Sequence, residues 1–249
     1  MNLKDWHARY QQQARWTQTL RQHLFAQAQL ETARRVLDLG CGTGALLGEV
    51  STNPLTCGLD HDLMALHFAR QVIPRAAFTA GDACNLPFAS AAFNLSFCHF
   101  LLLWLPNPLA ALREMRRVTV PGGMILALAE PDYGGRIDYP PSLSSLGQLQ
   151  TEALRQQGAQ PCIGRSLGSL FQQAGLQKVQ SGVLGGFWDH QSMPSTDELE
   201  WLVLREDLQT LCSAQELDAL QQTEQEARAR GERLLYIPTF YALGHVPET

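Results

Sequence analysis

An acid, a cysteine and three alternating glycines follow an apolar run near position 40. The run 36–39 is typical of a buried strand, and Gly40, Gly42 and Gly44 are typical of a tight turn. Glycine has no Cβ, so it adopts positive φ and lets a ligand approach the backbone, while the N–H groups of a following helix face the same space. This stretch therefore predicts a nucleotide-type pocket.

Asp38 is the unusual residue of the predicted strand, because its neighbours Leu37 and Leu39 are apolar. A carboxylate in such a strand is costly unless a cation or several hydrogen-bond donors meet it at the strand's carboxyl end. Asp38 therefore predicts a positively charged group on the ligand.

Acids end the next two predicted strands as well, Asp60 after 56–59 and Asp82 after 77–81. Asp60 lies 20 residues after Gly40, where a dinucleotide fold places its ribose-binding acid, and the glycines also fit a G-x-G-x-x-A pattern. The glycines alone therefore leave dinucleotide binding open. Asp60 and the nearby Asp62 also fit helix N-caps, and Asp82 fits a turn.

The remaining pattern alternates strands with helices, which is typical of an α/β fold. We predict helices at 61–70, 109–118, 142–157, 166–174 and 196–230, and strands at 93–99, 124–129, 178–184 and 234–243. Pro238 lies inside the last of these strands, where it predicts a bulge or distortion.

From residue 36 to residue 132 the chain resembles the class I S-adenosylmethionine-dependent methyltransferases, especially the small-molecule group that includes quinone-biosynthesis enzymes. Four motifs support the resemblance in order: the glycine loop, Asp60, Gly81-Asp82 with Leu86-Pro87-Phe88, and the helix 111–118 leading into Pro121-Gly122-Gly123. It implies a Rossmann-like sheet of seven mostly parallel strands flanked by helices, with an antiparallel last strand between the fifth and sixth, and helical cap elements. Asn94 and Thr119-Val120 depart from the family pattern at positions that are not expected to touch the cofactor.

The resemblance also implies S-adenosyl-L-methionine as cofactor. Asp38 and the three loop glycines would hold its amino-acid end, Asp60 its ribose, and Asp82 with Ala83 its adenine. Three further expected cofactor contacts are Cys41, His61 and His99.

Methyl transfer requires a sulfonium leaving group, an acceptor atom in line with it and exclusion of water. A base is needed only when the acceptor is protonated. His99 is one candidate if its pKa is near neutral, and Tyr133 is the other catalytic candidate. Tyr133, Arg136 and Arg165 are the candidate substrate contacts, since arginine binds carboxylates and phosphates.

We expect one methyltransferase domain over residues 1–249. Residues 1–34 would form an N-terminal helical lid, 35–132 the cofactor-binding core, and 133–249 the substrate side with a helical insertion at about 196–230. Both helical segments also fit plain packing extensions.

The composition narrows the class of partner. With 19 basic and 24 acidic residues the net charge is −5, which gives no electrostatic reason to expect nucleic acid. The six cysteines show no C-x-x-C spacing, so we expect no metal site and a reducing, cytoplasmic location. No apolar run is long enough to span a membrane. We expect a small-molecule methyl acceptor as partner, no nucleic acid, no membrane, and a monomer or homodimer. A non-catalytic cofactor-binding protein and an NAD-dependent oxidoreductase remain the alternatives.

Overall fold

The computed structural model describes residues 2–50, 55–185 and 198–248. Its strands belong to one large sheet and one small one. In chain order they are β1 (Arg35–Leu39), β2 (Leu55–Asp60), β3 (Ala77–Ala80), β4 (Phe93–Cys98), β5 (Thr119–Pro131), β6 (Ile137–Tyr139), β7 (Gln177–Val183), β8 (Leu234–Tyr236) and β9 (Thr239–His245).

The large sheet has seven strands within the described residues, in the order β3-β2-β1-β4-β5-β9-β7. The pairs among its first five strands are parallel, whereas β9 runs antiparallel to both of its neighbours, β5 and β7. The predicted seven-stranded, mostly parallel sheet with an antiparallel last strand is confirmed.

Helices cover both faces of this sheet because its strands are apolar on both sides. They are α1 (Leu3–Trp16), α2 (Gln18–Gln27), α3 (Leu47–Val50), α4 (Leu63–Val72), α5 (Pro108–Val118), α6 (Ser144–Gln156), α7 (Leu167–Gln173), α8 (Glu198–Leu208) and α9 (Ala214–Ala229). Leu37 and Leu39 belong to one core cluster together with Phe171 of α7. Val36 belongs to a second cluster together with Phe97, as the alternation of side chains along β1 requires.

The N-terminal segment divides into two helices with different surroundings. Leu24 and Phe25 of α2 are buried in the second core cluster, where the ring centroid of Phe25 lies 5.3 Å from that of Phe97. Part of α2 therefore belongs to the hydrophobic core, and the lid over residues 1–34 stays a prediction.

The predicted last strand, 234–243, is wrong as a single element. The chain breaks at Ile237-Pro238, so that β8 pairs with β6 in a small sheet and β9 joins the large one. Proline has no N–H to donate to a ladder, which explains the break. The expected distortion is present, because the pairing of β5 with β9 shifts register between Ala127 and Glu130.

Two helical predictions also change in detail. The segment predicted at 196–230 forms α8 and α9, with a capping box at Ser213 and Glu216 opening α9; positions 196 and 197 lie outside the described residues. After the glycine loop the chain makes turns, and α3 has only four residues. Among the helices described, none combines the length and apolar character needed to cross a membrane.

Candidate functional site

The carboxyl ends of the parallel strands bring the candidate residues to one edge of the sheet. Asp38 lies in β1, Asp60 ends β2, His99 follows β4, and Glu130 lies near the end of β5. Three of these were selected from the sequence, and Glu130 was not.

The glycine loop has the backbone conformation that its sequence predicts. Gly40, Gly42 and Gly44 have φ values of +73°, +50° and +79°. A Cβ on Gly40 would lie 2.7 Å from the Leu101 side chain, so any other residue there would force Leu101 to move, in addition to the strain of its positive φ. Cys41 is buried, and a Cβ on Gly58 would lie 2.7 Å from its Sγ. Cys41 therefore packs against β2.

Asp38 is buried, with 2% of its surface exposed. Burial, followed by the nearby charge of Asp60, raises its pKa to about 8. Neither a cation nor a hydrogen bond from the described residues offsets this effect. An ionised Asp38 therefore lacks a compensating positive charge, and a cation bound beside it would supply that charge.

Asp60 holds the glycine loop in place. Its Oδ2 accepts a hydrogen bond from the Gly42 N–H at 2.8 Å, and its Oδ1 accepts one from the Asp62 N–H at 2.9 Å. The N-cap of α4 is Asp62, which accepts from the N–H groups of Met64 and Ala65, so the N-cap alternative applies to Asp62 and not to Asp60. A carboxylate has about four acceptor positions, and two of those on Asp60 remain available for a ligand.

Two further predicted contacts lie beside these acids. The His61 side chain is 91% exposed, with its Nδ1 3.4 Å from Asp60 Oδ1. Asp82 is exposed and accepts a hydrogen bond from the Cys84 N–H at 2.8 Å, which fits the turn alternative, while Ala83 is buried beside it. A turn at Asp82 does not exclude contact with a base, so the adenine assignment stays a prediction.

Helix α1 lies over the glycine loop, a contact that sequence spacing alone could not place. His7 Nδ1 lies 2.8 Å from Thr43 Oγ1, and the Tyr10 ring would lie 3.3 Å from a Cβ on Gly42. Burial, followed by the charges of Asp60 and Asp62, raises the pKa of Tyr10 to about 12. The Tyr10 hydroxyl therefore stays protonated at the edge of this pocket.

His99 faces the junction of α1 and α2. Its Nε2 lies 2.9 Å from Thr17 Oγ1, and Arg21 Nη1 donates to the same hydroxyl. Burial, followed by the charge of Arg21, lowers the pKa of His99 to about 3. The general-base hypothesis required a pKa near neutral, and an imidazole with this pKa is a weak base. The geometry favours a positioning role for His99.

The candidate substrate arginines are both engaged in ion pairs. The Arg136 side chain is buried, with its Nε 2.6 Å from Asp138 Oδ2. Arg165 is about half exposed and pairs with the buried Asp132, with Nη2 2.7 Å from Oδ1. Tyr133 is partly buried near them, and burial followed by the charge of Glu200 raises its pKa to about 12. Neither guanidinium is free to neutralise a substrate anion without losing its partner.

Arg136 belongs to a larger buried network under the helical cap. Asp138 also binds Arg233, with Nη2 2.8 Å from Oδ1, and Arg233 Nε lies 3.0 Å from Glu224 Oε1. Arg228 Nη2 lies 3.0 Å from the same Glu224 oxygen. This network joins β6 to α9, and its members lie too far apart in sequence for a local pattern to reveal it.

Glu130 is a residue of the site that sequence reasoning missed. Its carboxylate is fully buried and accepts hydrogen bonds from three successive N–H groups, those of Leu101, Leu102 and Leu103, at 3.0, 2.8 and 3.1 Å. Burial raises its pKa to about 7, and the three bonds oppose that shift. The available signal was the one used for Asp38, an acid inside an apolar strand.

The part of the chain that the structure describes contains no group of three or more His, Cys, Asp or Glu side chains that could hold a metal ion. The six cysteine thiols are free.

The region of the chain that carries these residues also matches known proteins. Residues 37–127 match the family model described as a methyltransferase domain. An uncharacterized methyltransferase of Schizosaccharomyces pombe is 33% identical over 148 residues, which cover 53% of each chain. The demethylmenaquinone methyltransferase of Paenarthrobacter aurescens is 37% identical over 100 residues, which cover 39% of each chain. The malonyl-[acyl-carrier protein] O-methyltransferase of Erwinia pyrifoliae is 35% identical over 118 residues, which cover 47% of this chain and 45% of that one. The matches thus span about half or less of these relatives.

Solved structures extend the likeness over nearly the whole chain. A provisionally named methyltransferase of Bacillus halodurans C-125 superposes with a TM-score of 0.62 at 15% identity, covering 93% of this chain and 98% of that one. The phosphoethanolamine N-methyltransferase 2 of Haemonchus contortus, in complex with phosphomonomethylethanolamine and S-adenosylhomocysteine, has a TM-score of 0.55 at 16% identity and 87% and 50% coverage. The cyclase SpnF has a TM-score of 0.58 at 19% identity, with 94% and 81% coverage. By its strand order the chain has the class I methyltransferase fold, and its residues 37–127 match the methyltransferase-domain family.

Proposed function

We propose that this protein is an S-adenosylmethionine-dependent methyltransferase that methylates an oxygen, nitrogen or carbon atom of a small molecule. The observation that carries the proposal is the buried Asp38, which no described cation neutralises, beside a loop of positive-φ glycines. A ligand with an ammonium and a sulfonium group suits that site. The cofactor, when bound, supplies an electrophilic methyl group on a sulfonium leaving group.

The chain's own residues bind and orient in this proposal. Asp38 and the N–H groups of the glycine loop hold the amino-acid end, and Asp60 accepts hydrogen bonds from the ribose hydroxyls with the oxygen positions that Gly42 and Asp62 leave available. Asp82 and Ala83 border the adenine. Tyr10, above the loop, excludes water from one side of the pocket.

The acceptor side lies under α1, α6 and α8. Arg9 of α1 is buried and forms an ion pair with Glu200 of α8, which joins the two candidate lid helices. The charges of Glu200 and Arg9 both influence the pKa of Tyr133. Because that pKa is raised, the Tyr133 hydroxyl stays protonated and can donate a hydrogen bond. We propose that Tyr133 orients the acceptor, and that Arg136 and Arg165 support the pocket through their ion pairs.

The small-molecule acceptor is the finer part of the proposal. Malonyl-[acyl-carrier protein], demethylmenaquinone and phosphoethanolamine methyltransferases are named among the proteins that this chain resembles. The net charge of −5 gives no favourable field for a nucleic acid. We also propose a cytoplasmic location, which the free thiols favour, and a monomer or homodimer, to be tested by cell fractionation and by light scattering.

A second candidate is a protein that binds the cofactor or uses this fold without methyl transfer. The cyclase SpnF has a comparable fold, and a fold does not determine an activity. A nicotinamide-dependent oxidoreductase is the third candidate, because the glycine pattern alone fits it.

The deciding experiment measures ligand binding on two matched variants. S-adenosylhomocysteine at 100 times its dissociation constant should stabilise the wild-type protein by about 2.7 kcal/mol, and NAD should not. Asp60→Ala should weaken that binding by about 1.5–3 kcal/mol, because it removes charge-assisted hydrogen bonds. Asp62→Ala should instead cost about 1 kcal/mol of stability and leave the affinity unchanged, because Asp62 caps α4.

No melting shift and no heat with either S-adenosylmethionine or S-adenosylhomocysteine at millimolar concentration would overturn the proposal. If the protein binds the cofactor but transfers no labelled methyl group to any member of a metabolite panel, the non-catalytic candidate is favoured. Stabilisation by NAD alone would favour the oxidoreductase.

A further inference from the structure

The segment that follows β4 is held by a buried carboxylate from the neighbouring strand. Glu130 of β5 accepts three successive backbone N–H groups, and its side chain is fully buried. Leu101 and Leu102 donate to Oε1 and Leu103 donates to Oε2, so one side chain fixes both the position and the direction of this turn.

The fixed segment starts from a strained residue and ends on the glycine loop. Phe100 has φ +52°, which a bulky residue rarely adopts, and its N–H donates to the Ala129 carbonyl at 2.9 Å. The next side chain, Leu101, packs where a Cβ of Gly40 would stand. Strain of this kind persists only where surrounding contacts over-determine the backbone, and the three bonds to Glu130 supply such contacts.

A second polar contact holds the same segment from the opposite side. His99 Nε2 lies 2.9 Å from Thr17 Oγ1, and the Arg21 guanidinium that binds Thr17 also pairs with Glu49 of α3. The residues 99–103 are thus held between β5 and the N-terminal helices, directly against the loop that begins at Gly40.

We infer that Glu130 is a positioning residue of the cofactor site: its side chain sets the turn at 101–103 and, through the contact of Leu101 with Gly40, the position of the glycine loop. This inference rests on the proposed function, since the pocket it shapes is the one assigned to S-adenosylmethionine. Glu130 itself contacts backbone groups and takes no part in the transfer.

Glu130→Gln is the direct test because it keeps the shape of the side chain and replaces one acceptor oxygen by a donor. The amide that faced the lost oxygen is left without its bond, so hydrogen exchange at 101–103 should rise at least about tenfold. The dissociation constant of S-adenosylhomocysteine, measured by calorimetry, should rise by about tenfold as well.

Glu224→Gln is the matched control. Glu224 is also a buried carboxylate, but its partners are side chains of the cap, namely Trp201, Arg228 and Arg233. Its substitution should lower the melting temperature and leave both S-adenosylhomocysteine affinity and exchange at 101–103 at their wild-type values. A loss of affinity equal to that of Glu130→Gln would overturn the inference, because the loss of any buried carboxyl group would then have the same effect.

Leu101→Ala separates positioning from folding. It removes the contact with Gly40 but keeps the backbone bonds to Glu130, so it should weaken S-adenosylhomocysteine binding while exchange at 101–103 stays slow. If Glu130→Gln fails to fold, Leu101→Ala decides, and wild-type affinity in that variant overturns the inference. Wild-type affinity and exchange in a folded Glu130→Gln variant overturn it too. Failure of the wild-type protein to bind S-adenosylhomocysteine overturns the proposed function instead.

Discussion

The raised pKa of Asp38 predicts that cofactor binding depends on pH below neutrality. Its pKa in the ligand-free protein is about 8, against 3.8 for an unperturbed aspartate, because burial and the charge of Asp60 disfavour ionisation. The folded state therefore binds the proton more tightly than the unfolded state. For this group alone, stability is highest below the unfolded pKa and falls as the pH rises towards the folded one. A bound ammonium reverses that preference by stabilising the ionised carboxylate.

The magnitude follows from the fraction of protein that is ready to bind. A carboxyl with a pKa of about 8 is about one-tenth ionised at pH 7 and about one-hundredth ionised at pH 6. The apparent dissociation constant is the intrinsic one divided by this fraction, so it should fall about tenfold from pH 6 to pH 7. The ligand's own α-amino group, with a pKa of about 7.7–8.0, stays protonated over this range.

Calorimetry at pH 6, 6.5 and 7, in buffers of different ionisation enthalpy, measures both the affinity and the proton release. Wild-type protein should release about one proton per S-adenosylmethionine bound at pH 6. Asp38→Asn should bind more weakly, with an affinity that does not change with pH and without proton release. A wild-type affinity that is constant from pH 6 to pH 7, together with binding that releases no proton, would refute this account of Asp38.

Three further predictions concern the surroundings of the site. His99→Asn should lower turnover but keep the shape of the pH–rate profile between pH 5.5 and 8.5, because a group with a pKa of about 3 does not titrate in that range. If one ionisation disappeared from the profile of this variant, His99 would again be a candidate general base. Deletion of residues 2–16 should leave a folded protein with weakened cofactor binding, whereas deletion of 2–27 should prevent cooperative unfolding in calorimetry because it removes core side chains of α2. Arg136→Met should destabilise the fold by about 3 kcal/mol or more in urea titrations, because it leaves part of a buried ion-pair network without its partner; unchanged stability with a raised acceptor KM would instead show a substrate contact.

The sequence was sufficient where the signal is local. Glycines at 40, 42 and 44 require a special backbone conformation, and their positive φ values follow from their lack of a Cβ. The strands that end at Asp60 and near Asp82 follow from short apolar runs that end in an acid. The sheet order came from the family resemblance, since strand length and periodicity do not determine which strands are neighbours.

Contacts between distant elements could not be predicted in the same way. Both Asp60 and Asp62 fit an N-cap, and only the coordinates show that Asp62 binds the first turn of α4 while Asp60 binds the glycine loop. Arg136 was selected as a substrate contact because its charge suggested one, but Asp138 neutralises it inside the protein. Glu130, like Asp38, is an acid inside an apolar strand, but its partners are backbone groups of the loop after β4, which the sequence does not identify.

The antiparallel β9 imposes an order of events during synthesis. It lies between β5 and β7, so the pairing edge of β5 has no neighbour until the chain beyond the helical insertion has left the ribosome. An unpaired apolar strand edge is a template for pairing with other chains. From the completion of β5 until β9 emerges, the nascent protein therefore carries β1 to β5 as a sheet whose β5 edge is open. Chaperones that cover strand edges should affect its yield more than its final stability.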